Sequence, residues 1–196
     1  FLARKARRKE GHHRHALANQ EFVIEYQPEI NVESGEVVGL EALLRWRHPE
    51  RGLLGPDEFL PVAEASGLIV PIGEWVLQQA CAQARRWRDA GRPVVVAVNL
   101  SSTQFVHNNL LACVDQVLAR TGLEARYLDL EITEDVIMST DDATIGALLA
   151  LGQRGVQLTI DDFGTGCSNL SFLRQVPLSK LKIDRTLVGE ILSDPA

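Results

Sequence analysis

Short segments in which apolar and polar residues alternate recur along this chain from Glu21 onward. In residues 128–133, Leu128, Leu130 and Ile132 occupy alternate positions, and charged or hydroxyl side chains fill the positions between them. Successive side chains of a strand point to opposite faces of a sheet, so this segment is predicted to be a strand with one apolar and one polar face. The predicted strands cover residues 21–30, 35–46, 94–99, 128–133, 157–162 and 180–184.

Segments with helical periodicity separate the later strands. Each ends before a glycine, which is the residue most often found just past a helix C-terminus. Alternating strands and helices predict right-handed crossovers and a parallel sheet. The first two strands are instead joined by NVESG, whose Asn31, Ser34 and Gly35 favour a hairpin turn. The predicted helices cover residues 72–90, 103–120 and 139–154, the last capped by Ser139 or Thr140.

The polar faces of the strands predict a barrel. A parallel strand buried between two helical layers is apolar on both faces. In a barrel, the apolar face packs on outer helices while the polar face lines the interior, and the chemistry lies at the carboxyl ends of the strands. The predicted fold class is α/β, a TIM-like barrel. A closed (β/α)8 barrel needs about eight strands, so the last two units would lie beyond Ala196, or the chain is a fragment.

Residues that suit hard divalent cations end or interrupt these strands. Burying an unpaired carboxylate is costly, and coordination of a cation would offset that cost. With Asp162 adjacent, the group could hold one cation and reach a second, an arrangement that activates water against a phosphodiester. The alternative is a set of buried ion pairs with Lys182 and Arg45. The candidate ligands are Glu41, Asn99, Glu131 and Asp161.

Three other side chains are placed to assist. Lys182, facing carboxylates, could orient a water or stabilise negative charge, with simple charge balance as the alternative. Arg45 follows Glu41 by four residues on the same strand face and could clamp a phosphate. Glu134 is placed to anchor a neighbouring loop, or is a surface acid at a helix start. The glycine-rich segment 161–166, DDFGTG, is a flexible loop that could approach a ligand or a partner.

Composition excludes several classes of protein. The net charge of −6 argues against a general nucleic-acid scaffold, so no DNA or RNA partner is predicted. Three widely spaced cysteines argue against a disulfide framework and favour a reducing, cytoplasmic setting. No apolar stretch reaches membrane-spanning length, although a parent protein could be membrane-anchored.

Residues 1–20 differ from the rest because they are basic and rich in histidine. They are predicted to be a helical lead-in or a linker from an upstream domain. The cluster His12, His13 and His15 could bind a metal, but a solvated helix face is favoured because no carboxylate or cysteine lies beside it.

The order of the motifs resembles the EAL domain of bacterial cyclic di-GMP phosphodiesterases. The resemblance covers nearly the whole chain from Glu21 and implies one domain over residues 21–196. It also implies a TIM-like barrel whose first strand is antiparallel to the others. The similar segments are YQP (26–28), EALLRW (41–46), HPE-RG (48–52), PDEFLPVAEASGLI (56–69), VNLS (98–101), EITED (131–135), DDFGTG (161–166) and LKIDR (181–185).

The resemblance also implies an activity and a role for each matching residue. The reaction would open one phosphodiester of cyclic di-GMP to give linear pGpG, with two Mg²⁺ or Mn²⁺ ions as cofactors. Lys182 would position the attacking water, and Glu134 would brace the DDFGTG loop. Gln27, Arg45 and Asp184 would contact the substrate. The metal ligands would be Glu41, Asn99, Glu131 and Asp161, with Asp162 serving the second metal.

The implied partners are cyclic di-GMP, a second copy of the chain in a homodimer formed near the DDFGTG loop, and an upstream sensor or diguanylate cyclase domain. A second function stays open, a receptor that binds cyclic di-GMP without cleaving it. Such receptors often lack the EAL glutamate or one aspartate of the DD pair, whereas this chain retains Glu41, Asp161 and Asp162. One departure is Cys167, where the family has a tyrosine. A late catalytic glutamate and a glutamine of the family would lie beyond Ala196.

Overall fold

The computed structural model of this chain describes residues 16–107, 110–134, 142–164 and 176–193, and within them seven strands form one sheet. The strand order is β1-β2-β4-β5-β6-β7, with β3 paired to the other side of β2. Five of the six pairings between the described strands join strands that are consecutive in the chain, as expected when consecutive elements are neighbours, and the sixth joins β2 to β4. The strands are β1 Phe22–Ile30, β2 Val37–His48, β3 Gly52–Leu54, β4 Val95–Leu100, β5 Leu128–Thr133, β6 Gln157–Phe163 and β7 Lys180–Ile183.

The first two strands form the predicted antiparallel hairpin. Asn31 Oδ1 accepts hydrogen bonds of 2.9 Å from the backbone N–H groups of Glu33 and Ser34, and Gly35 adopts a φ of 71°. From β2 onward the pairs β2–β4, β4–β5, β5–β6 and β6–β7 are parallel. The antiparallel first strand is therefore confirmed. The strand β3 was not predicted, because its three residues are too few to show an alternation.

The helices follow the predicted order with shifted bounds. The predicted helix 72–90 begins earlier, at Ile69, because Pro71 lies in the first turn, where a missing N–H costs no hydrogen bond. The described residues of the predicted helix 103–120 are helical, over Ser102–His107 and Leu110–Thr121. Residues 108–109 and the predicted caps Ser139 and Thr140 lie outside the described residues. No helix among those described is long and apolar enough to cross a membrane. The helices are α1 Leu60–Ala65, α2 Ile69–Asp89, α3 Ser102–His107, α4 Leu110–Thr121, α5 Asp142–Gln153 and α6 Arg185–Ser193.

The two faces of the sheet have different chemistry, as the alternation predicts. Leu128, Leu130 and Ile132 of β5 are completely buried and belong to the hydrophobic core that the helices cover. The intervening Asp129 and Glu131 are also buried, although they are charged. Buried carboxylates persist only where they are paired or coordinate a cation, so the polar face is the place to look for function.

Candidate active site

Parallel pairing gathers polar side chains at one rim of the sheet. Asn99 of β4 is the direct cross-strand neighbour of Glu131 of β5, and Thr133 of β5 is the neighbour of Asp161 of β6. Glu41 of β2 joins them because Asn99 Nδ2 donates a 2.8 Å hydrogen bond to Glu41 Oε1. The four predicted ligands thus come from four successive parallel strands.

Lys182 of β7 contacts two of these four side chains. Its Nζ donates a 2.9 Å hydrogen bond to Glu41 Oε2 and forms an ion pair with Glu131 Oε1. Only 25% of the Lys182 side chain is exposed, and the Glu131 side chain is fully buried. The predicted proximity of lysine and carboxylates is therefore present, and charge balance is part of what Lys182 does.

The pKa values of the two carboxyl groups are shifted in opposite directions, although Lys182 lowers both. Desolvation would raise the pKa of Glu41, but the hydrogen bonds from Lys182 and Asn99 outweigh it and lower that pKa. Burial raises the pKa of Glu131 to about 8, and the negative charges of Glu41 and Asp161 act in the same direction. Glu131 is the more deeply buried of the two, so desolvation governs its titration.

Because the pKa of Glu131 is raised, the metal-free protein is expected to lose stability as the pH rises. The folded state holds a proton on Glu131 up to a pKa of about 8, whereas the unfolded chain releases it near the ordinary carboxyl value of 4.5. The unfolded state therefore binds fewer protons between these values, and the free energy of unfolding falls across that window. Urea unfolding at pH 5, 6.5 and 8 in the presence of a chelator would measure this. Glu131→Gln should flatten the decline; an equal decline in that variant would contradict the assignment.

Asp161 and Asp162 end β6 in an irregular conformation. Asp162 has a φ of 54°, in the left-handed region, and the β6–β7 register shifts between Ile160 and Phe163. The Asp162 N–H donates a 3.0 Å hydrogen bond to Asp161 Oδ1. Regular alternation would send the two side chains to opposite faces, but both residues line the same cavity. Burial and the charges of Asp161 and Asp184 raise the pKa of Asp162.

Glu134 lies against the start of the DDFGTG loop. Its Oε2 accepts a 2.9 Å hydrogen bond from the Gly164 N–H. Gly164 has a φ of 97°, and a Cβ there would lie 2.0 Å from Leu187 Cδ1, so the position requires glycine. The rest of the loop, including Cys167, lies outside the described residues.

The three residues predicted to contact the substrate lie in different surroundings. Gln27 is exposed and is the cross-strand neighbour of Glu41. Arg45 Nε donates to Glu25 Oε2 at 3.0 Å, and Arg45 Nη1 donates to the Leu44 carbonyl. Asp184 accepts a 2.8 Å hydrogen bond from the Thr186 N–H, which makes it the N-cap of α6. Gln27 and Arg45 are thus close to the rim, while Asp184 has a structural contact of its own.

A cavity of about 720 Å³ opens beside the carboxylates, a size typical of small-molecule sites. Its lining combines the polar rim with apolar side chains from β2, α1 and α2. It can therefore bury a partly apolar ligand whose polar part lies near the rim. The polar rim residues in the lining are Glu41, Asn99, Asp161 and Asp162, and the apolar ones include Leu60, Ile69, Ile72 and Val76.

Ser101 and Gln104 also line the cavity and were not predicted as site residues. Gln104 is buried, and its Oε1 accepts a 3.0 Å hydrogen bond from the Ser101 N–H at the start of α3. A Cβ at Gly73 of α2 would lie 2.1 Å from Gln104 Nε2, so Gly73 leaves the space that Gln104 fills. The S-x-x-Q spacing of a capping box, residues 101–104, was the signal that could have found them.

The residues present fit a divalent cation. Glu131 Oε2 is buried and has no hydrogen-bond partner among the described residues, which is costly unless a ligand satisfies it. The carboxylate and amide oxygens of the rim are the donors that hard cations prefer. In the described part of the chain no three acidic, histidine or cysteine side chains already converge as a cation site; Glu41 and Glu131 both contact Lys182 instead.

Comparison with known proteins agrees with the sequence pattern and the fold. Residues 11–196 match the family model described as the EAL domain. The chain is 48% identical over 182 residues to the bifunctional diguanylate cyclase/cyclic di-GMP phosphodiesterase MucR of Pseudomonas aeruginosa, covering 92% of this chain and 27% of MucR. It is 42% identical over 182 residues to the cyclic di-GMP phosphodiesterase PdeR of Escherichia coli K12, covering 93% and 23% of the two chains. The chain therefore spans about a quarter of these curated relatives.

A solved structure has the same fold. The PaMucR phosphodiesterase in complex with c-di-GMP superposes with a TM-score of 0.90 at 46% identity, covering 95% of this chain and 76% of that one. The predicted TIM-like α/β fold and the predicted family are confirmed by these matches.

Proposed function

Because the chain belongs to the EAL domain family, we propose that it hydrolyses one phosphodiester of cyclic di-GMP to give linear pGpG. The observation that carries the proposal is the rim itself. Oxygen ligands from four parallel strands lie with Lys182 beside a cavity of nucleotide size. The relatives MucR and PdeR carry this activity in their names, and MucR was solved with c-di-GMP.

We propose that divalent cations, two ions of Mg²⁺ or Mn²⁺, are held by this rim. When bound, they supply Lewis acidity to the phosphodiester and to the attacking water. Glu131 Oε2 has no hydrogen-bond partner in the part of the chain that the structure describes, which supports its role as a ligand. The proposed ligands are Glu41, Asn99, Glu131 and Asp161, with Asp162 assigned to the second ion.

The other proposed roles, which are water orientation, substrate contact and support of the loop, belong to side chains of this chain. Lys182 orients a water and stabilises negative charge, since its ammonium is held among the carboxylates with a raised pKa and stays protonated. Gln27 and Arg45 contact the phosphate and sugar, and Asp184 is a further proposed contact. Glu134 keeps the start of the DDFGTG loop in place through Gly164. The apolar part of the cavity excludes water from a guanine base.

The assembly of the whole protein is also a proposal. We propose an upstream sensor or diguanylate cyclase domain, because MucR combines diguanylate cyclase and phosphodiesterase activities in one protein. A homodimer is proposed from the family resemblance alone. The acidic net charge of −6 supports a nucleotide ligand bound through cations and opposes DNA or RNA as a partner.

The test is a product assay with cyclic di-GMP and Mn²⁺, followed by chromatography. Linear pGpG should appear with Mn²⁺ and should not appear when a chelator removes the cation. Calorimetry on the same sample distinguishes the receptor. Tight nucleotide binding without metal, together with no product under any cation, would replace the enzyme by a receptor.

A further inference from the structure

A second layer of charge lies beneath the candidate active site. Lys180 and Lys182 are two positions apart on β7, so both project into the polar interior. Lys180 Nζ lies 2.9 Å from Glu29 Oε2 and 2.9 Å from Asp129 Oδ2. Asp129 is completely buried and also accepts hydrogen bonds of 2.9 and 2.8 Å from Thr159 Oγ1. Each lysine thus has its own pair of carboxylates.

Glu29 of β1 is the connection between the two layers. Its Oε2 accepts the 2.9 Å hydrogen bond from Lys180, and its Oε1 lies 3.8 Å from Lys182 Nζ. That Oε1 is buried and has no hydrogen-bond partner among the described residues, so its remaining interaction is the charge of Lys182. The Glu29 carboxylate therefore attracts Lys182 toward the second layer of charge, while Glu41 and Glu131 contact Lys182 at the rim.

A glycine on the neighbouring strand leaves room for the Glu29 side chain. Gly39 of β2 is the cross-strand neighbour of Glu29. A Cβ at Gly39 would lie 2.6 Å from Glu29 Oε2 and 3.2 Å from its Cδ. Glycine at this position lets the Glu29 side chain lie across β2 without displacement and reach a lysine that is 151 positions away along the chain.

We propose that Glu29 is a positioning residue for the cation site, acting through Lys182. It shares the charge of Lys182 and so weakens the competition of that ammonium with a cation for the oxygens of Glu41 and Glu131. It also adds a negative charge to the interior. The inference rests on the proposed function, since it concerns the same cation site.

Removal of the Glu29 charge should weaken cation binding for both reasons. In Glu29→Gln, the ion-pair partners that Lys182 keeps among the described residues are Glu41 and Glu131. The interior is less negative, while the hydrogen bond to Lys180 can persist. Mutation of a residue that contacts metal ligands without binding the metal typically lowers metal affinity by about 10- to 100-fold. The expected loss of Mn²⁺ affinity in Glu29→Gln is about tenfold.

The experiment is Mn²⁺ titration calorimetry on the full chain, together with thermal unfolding without metal. Glu29→Gln is compared with Glu33→Gln, which makes the same chemical change on the exposed hairpin turn. Gly39→Ala is the second variant, because it displaces the end of the Glu29 side chain and removes no charge. The expected result is weaker Mn²⁺ binding in Glu29→Gln and Gly39→Ala and unchanged binding in Glu33→Gln.

Two results would overturn the inference. One is a Glu29→Gln variant with a lower melting temperature but parental Mn²⁺ affinity, which is what a purely structural ion pair gives. The other is an equal loss in Glu29→Gln and Glu33→Gln, which is a general effect of net charge. Neither readout uses hydrolysis, so a chain that binds Mn²⁺ and cleaves nothing would refute the proposed function alone.

Discussion

Glu41→Ala is expected to lower the Mn²⁺-dependent rate of cyclic di-GMP hydrolysis by about 10³-fold, the upper end of the loss from one preorganised electrostatic group. Each carboxylate oxygen of Glu41 accepts a hydrogen bond from another residue of the site. Its Oε1 accepts from Asn99 at 2.8 Å, and its Oε2 accepts from Lys182 at 2.9 Å. Alanine therefore removes a proposed ligand and also frees the amide and ammonium groups that it holds.

The measurement is the steady-state rate of linear pGpG formation at saturating Mn²⁺. Glu36→Ala is the matched control, because Glu36 is exposed and precedes the amino end of β2, whereas the rim lies toward the carboxyl ends of the parallel strands. The control should keep the parental rate. Turnover in Glu41→Ala at more than a tenth of the parental rate would contradict the assignment of Glu41.

Lys182→Met is expected to destabilise the metal-free protein by about 3–5 kcal/mol at pH 10, where Glu131 is ionised in the parent, because one partner of a buried ion pair is removed. The Glu131 side chain is fully buried and its ion pair is with Lys182. The stability loss should shrink at pH 5. Burial already raises the pKa of Glu131 to about 8, and loss of the lysine raises it further, so the carboxyl is neutral there.

Urea unfolding with a chelator present measures this change. The control is Arg154→Met, which removes an ion pair of 2.8 Å between side chains that are 40% and 44% exposed. Such exposed pairs contribute about 0–1 kcal/mol. If Lys182→Met cost no more than Arg154→Met at pH 10, the ionised Glu131 would not depend on the lysine for its place in the interior.

The strands could be predicted closely because alternation is a local signal. Residues 128–133 are predicted and observed as one strand, and the antiparallel β1 also agrees. Parallel pairing then brings strand ends together, which is why Glu41, Asn99 and Glu131 could be grouped before any distance was known. Local pattern and sheet geometry were sufficient for this part of the site.

Other contacts could not be predicted because they join distant positions. The Lys180–Glu29 pair spans 151 residues, and nothing near either residue encodes the other. The space at Gly73 that Gln104 fills depends on how α2 packs over α3, which periodicity does not specify. The roles of Gln27, Arg45 and Asp184 stay predictions, and Asp184 already has a structural partner in Thr186.

The left-handed backbone at Asp162 restricts which residues can stand there. At a φ of 54° a β-branched or bulky side chain is strained, whereas Gly, Asn and Asp are tolerated. Of these three, aspartate alone has a negative charge. Asparagine would keep the shape of the turn and lose the charge, so Asp162→Asn should remove the proposed ligand of the second ion with little cost in folding. The proposed role of Asp162 can thus be removed without disturbing the fold, whereas a change at the buried Glu131 affects the proposed cation site and the stability of the fold together.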